Sequence, residues 1–280
     1  MNRSMLPTMG ALLLAVTVTA CGESTTGPDG VVTVSTADVA VSAADQVAAA
    51  VALMLGSQGA ASLSAQRAPT GAPMASLSLA AQAAAVPCTY SGSTESYSCP
   101  STTEGSFTVT RSFTLFDEAG AAQALYDAAT TASIDYQVDA SGTVTRTGYA
   151  ATYDRHANLT VSGLAGAETE RTWNGTGADT AHAEFQRQDG VRAYDMTAAD
   201  TVDNVVFRLP TSTYAYPISG RIIHRISVTQ TLDADVTVSR TAMRRVVATF
   251  DGTDVVALRV GAVDCSLSLA TNTVTCAGQH

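Results

Sequence analysis

From Val86 to its end the chain repeats one local pattern: short runs rich in Thr, Val, Tyr and Ile, with apolar and polar residues alternating, broken by turn dipeptides. A period of two sends successive side chains to opposite faces, so these runs fold as half-buried strands. Asn174-Gly175, Asp189-Gly190 and Asp251-Gly252 are the strongest hairpin signals, because a type I′ turn needs positive φ at both central residues. Asp139–Gly142 and Asp233–Asp235 mark looser turns, and Phe107–Phe116, Arg221–Leu232 and Val236–Phe250 are long runs for strands. The expected fold of 86–280 is mainly β, an antiparallel meander of about a dozen strands that must hide its faces and edges as a wrapped sheet, half-barrel or sandwich.

One or two short helices accompany it. Ser35-x-x-Asp38 has the form of a capping box, and Val41, Ala44, Ala48, Val51 and Leu55 follow at helical spacing, which predicts a helix within 35–56. A second helix is expected over Glu118–Ala132, capped by Asp117, with Ala122, Leu125, Ala129 and Ala132 as its apolar stripe. Residues 57–85 are Ala-, Ser- and Pro-rich and read as a linker; 21–34 read as a flexible tether.

Cys88–Cys99 and Cys265–Cys276 are each eleven apart, and each pair brackets a hairpin-like stretch. Four cysteines allow three connectivities, and this spacing favours the two local ones. In that register Tyr90 falls opposite Tyr97 with a turn near Ser93-Thr94, and Leu267 falls opposite Val274 with a turn around Ala270-Thr271. Facing apolar and aromatic pairs stabilise hairpins. Neither pair has C-x-x-C spacing, so structural staples are expected rather than redox or zinc chemistry.

Residues 1–20 carry one positive charge, Arg3, ahead of an apolar stretch from Met9 to Val18 that is too short to span a bilayer. The stretch ends in Val18-Thr19-Ala20-Cys21, which resembles the lipobox of bacterial lipoproteins. The resemblance implies removal of 1–20 as a signal peptide and lipidation of Cys21, with the membrane as partner through that anchor. Gly22 after the cysteine implies the outer membrane under the sorting rule of enteric bacteria. An outer-membrane barrel is the competing architecture. It would need a uniformly apolar lipid-facing set on each strand, and Thr169-Glu170-Arg171-Thr172-Trp173 offers none.

All fifteen basic residues are arginine, against 25 acids. The absence of lysine excludes P-loop, Schiff-base and Ser-Lys chemistry, and an acidic chain without basic clusters argues against nucleic acid. There is no G-x-S-x-G, H-E-x-x-H or G-x-G-x-x-G. No catalytic residue and no cofactor is assigned. His224 alternates in phase with Ile222, Ile226 and Val228 and is expected against the core, while Asp154 and His156 share a face of an extended segment.

One constellation comes from register. With Asn174-Gly175 as a turn, Trp173 faces Thr176 and Glu170 faces Asp179. With Asp189-Gly190 as the next turn, Phe185 faces Tyr194, Glu184 faces Asp195 and His182 faces Thr197. Ala181, Ala183, Phe185, Tyr194 and Met196 then point inward. His182, Glu184 and Asp195 gather on the other face near Arg171 and Trp173, as a weak metal or ligand cluster or as a solvated face with screened charges. Trp173 is a binding aromatic or a cover for the next strand.

The segments Cys21–Pro28, Leu159–Gly166 and Thr172–Gly177 resemble an uncharacterised family of β-rich envelope lipoproteins from high-GC bacteria, a resemblance that implies no activity. The expected function is a non-catalytic binding or scaffolding β-domain, lipid-anchored in the cell envelope. The alternatives are an acyl-chain carrier, which needs a concave apolar cavity, and a metal-dependent enzyme built on the His182 cluster.

Overall fold

The computed structural model describes residues 88–277, apart from 105, 147–148, 188–189, 234–237 and 272, together with helical positions between Val39 and Met54. The expected signal peptide, Cys21, the tether and the 57–85 linker lie outside the described residues.

Thirteen strands follow in chain order: β1 Thr89–Ser91, β2 Ser96–Glu104, β3 Phe107–Asp117, β4 Ala122–Gln123, β5 Thr131–Arg146, β6 Tyr149–Ser162, β7 Glu170–Arg187, β8 Gly190–Arg208, β9 Ser219–Asp233, β10 Val238–Thr249, β11 Val255–Val260, β12 Val263–Ser268 and β13 Thr273–Cys276. They form one antiparallel meander in which each strand pairs with the next, except that β4 folds back on β3 and β5 takes the next place in the sheet. The sheet is not closed, and β1 and β13 are its edges.

One face is apolar across nearly the whole width. Its side chains form a continuous cluster from Tyr97 on β2, through Tyr136, Leu159, Trp173, Met196, Ile226 and Val246, to Cys276 on β13. A sheet buried on one side along so many strands has to curl around what covers it. The cover is the helical segment: Val39, Ala40, Ala43, Ala44, Val47, Ala50, Val51 and Met54 are all buried in the same cluster. Its buried stripe centres on Ala40, Ala43, Val47, Ala50 and Met54, rotated from the one drawn through Ala44 and Ala48. In so alanine-rich a stretch, several helical faces are equally apolar. Small residues at the middle of the sheet (Ala157, Ala181, Ala183, Ala198) let the helix come close.

At one end the inner face carries an aromatic ladder. Ring centroids of Tyr90–Tyr97, Tyr97–Phe113, Phe113–Tyr136 and Tyr136–Trp173 lie 5.2, 4.7, 5.8 and 5.7 Å apart. Such contacts contribute about 0.5–1.5 kcal/mol each beyond their buried area. Both disulfides form as expected, with Tyr90 opposite Tyr97 and Leu267 opposite Val274. Each closes a short loop and contributes on the order of 3 kcal/mol. Two disulfides place the body in an oxidising, extracytoplasmic compartment. Among the described residues no helix is long and apolar enough to cross a membrane.

Three sequence expectations are corrected. The Asn174-Gly175 pair is not a hairpin turn: β7 runs through it, and the pair forms a bulge between Trp173 and Gly175. The Asn174 Oδ1 accepts the Asn204 amide at 2.9 Å, and a Cβ at Gly175 would meet the Asn158 carbonyl at 2.2 Å. A bulge and a tight turn make the same demand on an Asn-Gly pair, so the dipeptide cannot tell them apart. Asp139–Gly142, likewise, lies inside β5. Glu118–Ala132 forms no helix. Asp117 Oδ1 accepts the Ala121 amide, Asp127 Oδ1 accepts the Ala129 amide, and Gly120 adopts φ +78°, so the acidic residues cap turns instead. Leu125, its predicted stripe residue, is exposed.

Candidate functional site

The inner face carries an unexpected group of charges. Alternation puts Arg155 of β6 in phase with Ala157 and Leu159, Asp179 of β7 with Ala181, Asp200 of β8 with Val202, and His224 of β9 with Ile222 and Ile226. Register then brings them together: Arg155 pairs with Asp179, and Asp200 pairs with both Gly177 and His224. The Arg155 guanidinium lies 3.4 Å from the Asp179 carboxyl and 3.5 Å from that of Asp200. The His224 Nδ1 meets Asp200 Oδ1 at 2.5 Å, with His224 wholly buried. Gly177 lies against the carboxyl: a Cβ there would stand 3.5 Å from Asp200 Oδ2, an ordinary contact, and 3.2 Å from the His156 carbonyl. From above, Arg155 Nη1 donates to the Gln46 carbonyl of the helical segment at 3.4 Å.

Several polar atoms of this group have no conventional partner: both Asp179 oxygens, Asp200 Oδ2, Arg155 Nε, His224 Nε2 and Gln46 Oε1. The Arg155–Asp179 approach is close enough for attraction but not aligned for donation. A proton shared by the two carboxyls resolves part of this, because an acid can donate where two carboxylates only repel. Burial pushes Asp179 up to about 8, with the neighbouring Asp200 adding to the rise against the pull of Arg155. Burial opposes ionisation of Asp200 too, but the hydrogen bond and charge of His224, then Asp179 and Arg155, hold it below its ordinary value. The pair therefore carries one proton at neutral pH, on the Asp179 side.

The predicted cluster on the outer face does assemble, in a shifted register. Arg187 pairs with Gly190, which moves the β7–β8 turn one residue back and every pair by two. His182 faces Asp195, Glu184 faces Ala193 and Ala183 faces Tyr194. A shift of two keeps every side chain on its own face. His182 Nδ1 meets Asp195 Oδ1 at 2.6 Å and its Nε2 lies 3.5 Å from Glu184, with all three about half exposed. The hydrogen bond that the ring donates to Asp195 leads in raising the His182 pKa. Both ring nitrogens are thus taken by carboxylates. Among the described residues no three His, Cys, Asp or Glu side chains converge as metal ligands.

Arg171, expected beside this cluster, lies eleven positions along β7 and is held by Glu168 at 2.6 Å, with Tyr126 donating to the same carboxylate. Glu170 faces Arg208, not Asp179, and Trp173 is wholly buried between Val161 and Val205. His156 pairs across the strands with Asp139 at 2.7 Å rather than with Asp154. These residues edge an open groove of about 430 Å³ on the outer face, with Thr108, Thr110, Asp154 and Thr180.

Sequence reasoning placed His224 against the core but missed its three partners. The signal was present as charges occupying the apolar phase of four consecutive strands. Comparison with protein families, with curated proteins and with solved structures finds no match.

Proposed function

We propose that this is a lipid-anchored protein of the cell envelope, held at the outer membrane through Cys21, whose β-body binds or scaffolds an envelope partner without catalysis. What carries the reading is the filled inner face: the chain's own helical segment occupies the space an acyl chain would need. That weighs against the carrier alternative. The half-exposed, carboxylate-paired His182 weighs against the metal enzyme. The surface left to meet a partner is the outer face, whose alternate positions are mostly Thr, Ser and Asp and whose groove lies beside Asp139 and His156. Such a face suits a partner that accepts and donates hydrogen bonds rather than an apolar one.

The lipobox and the disulfides point to the same route, export followed by anchoring. The test is fractionation of cells expressing the full chain and its Cys21→Ser variant. The parent is expected in the outer-membrane pellet with an acylated mature N-terminus, and the variant in the soluble envelope fraction. Recovery of both in the same fraction, or an unacylated parent, would overturn the anchoring.

A further inference from the structure

We propose that Arg155, Asp179, Asp200 and His224 form a proton-binding site that latches the helical segment around Gln46 to the inner face of the sheet. The latch is closed while the two carboxyls share a proton and loosened when that proton leaves.

The geometry sets out the parts. Among the described residues, Arg155 is the one of the four that also reaches the helical segment, through Nη1 and the Gln46 carbonyl. The same guanidinium neutralises Asp200 and faces Asp179. Every charged group facing Asp179 from the described elements belongs to this set: Arg155 on β6, Asp200 on β8 and, behind it, His224 on β9. With the proton in place, the Arg155 guanidinium stands beside a single carboxylate, Asp200, in a largely buried site. Removing the proton leaves a second buried carboxylate beside Asp200, with no hydrogen-bond donor to either of its oxygens, and that charge has to be solvated. The sheet on the far side of the cluster is tied by continuous strand pairing. The helical cover is the element whose departure admits water, and the second carboxylate draws Arg155 away from the Gln46 carbonyl.

Linkage fixes the direction. Opening returns Asp179 to water, where it ionises at its ordinary value, so the open population grows with pH as long as the closed form retains the extra proton. The growth is at most about tenfold per pH unit.

The experiment is hydrogen–deuterium exchange, read by mass spectrometry, on the full mature chain from pH 5 to pH 8, with intrinsic exchange rates divided out. Protection of the peptides covering residues 39–54 is expected to fall at least tenfold over that range, with peptides from β8 and β9 exchanging more slowly than these at every pH. The Asp179→Asn variant, neutral at every pH, is expected to hold the 39–54 peptides at a constant protection. Constant protection of that segment in the parent chain overturns the proposal whether or not the variant folds. An equal slope in parent and variant overturns it as well.

Discussion

Gly220 and Gly252 form a matched pair that separates two costs normally confounded. Their φ angles are nearly equal, +95° and +93°, so an alanine at either incurs the same dihedral penalty, about 1–2 kcal/mol. Their surroundings differ. At Gly220 an added Cβ would stand 2.1 Å from the Asn204 carbonyl oxygen, and 2.5 Å from the Asn204 carbon and Val205 Cα. All three are backbone atoms of β8, at the irregularity between Asp203 and Val206 where Asn204 itself takes φ +50°. None can rotate aside, so β8 and β9 would have to part by about an ångström, at an overpacking cost of roughly 1–3 kcal/mol more. At Gly252 nothing lies closer than 3.7 Å. Gly220→Ala is therefore expected to lose about 2–5 kcal/mol and Gly252→Ala only about 1–2. Guanidinium denaturation followed by fluorescence of Trp173, the one tryptophan and wholly buried, measures both. If the two variants lose stability equally, within about 1 kcal/mol, the close approach of the strands at this bulge is wrong.

Asp179 makes stability depend on pH. Its folded-state value is raised, so its stabilisation is complete below about pH 4 and declines as pH climbs toward 8. Asp179→Asn is expected to remove a loss of up to about 4 kcal/mol between pH 5 and pH 8, seen as the variant's denaturation midpoint rising relative to the parent's as pH increases, and parallel curves would contradict it. Replacing Cys265 and Cys276 together by serine is expected to cost on the order of 3 kcal/mol, and the corresponding Cys88 and Cys99 change to add to it independently, because the two staples sit on opposite edges. His182→Ala is expected to cost less than about 1 kcal/mol at pH 6 and to vanish by pH 8, since a raised His contributes only while protonated, and thermal melts at the two pH values check it.

The strands were legible in the sequence because alternation is a local signal. The runs at Phe107–Phe116 and Arg221–Leu232 sit inside β3 and β9 almost residue for residue. Both disulfide hairpins were legible as well, since eleven-residue spacing and facing apolar pairs agree. Register over longer distances was not. Asp189-Gly190 is locally the better two-residue turn, and the register that β7 and β8 adopt overrides it by placing Arg187 opposite Gly190. The Asn174-Gly175 bulge failed for a related reason: its Asn174 side chain serves Asn204, thirty residues away. The buried charges needed both kinds of knowledge. Each is visible as a polar residue in an apolar phase, but that Arg155, Asp179, Asp200 and His224 meet depends on the register of β6 through β9 together.

The cystines at β1 and β13 have a consequence for where this chain becomes safe to itself. An open sheet offers two free rows of amides and carbonyls to any other copy that drifts near, and here each row is a strand of only three or four residues. Welded to its neighbour, such a strand cannot peel off and lend its partner's longer backbone to a second molecule. Before oxidation only a few hydrogen bonds and one or two side-chain contacts hold it. The chain thus acquires blunt ends only after it has crossed into a space that forms disulfides, and a copy retained in a reducing compartment keeps both ends adhesive.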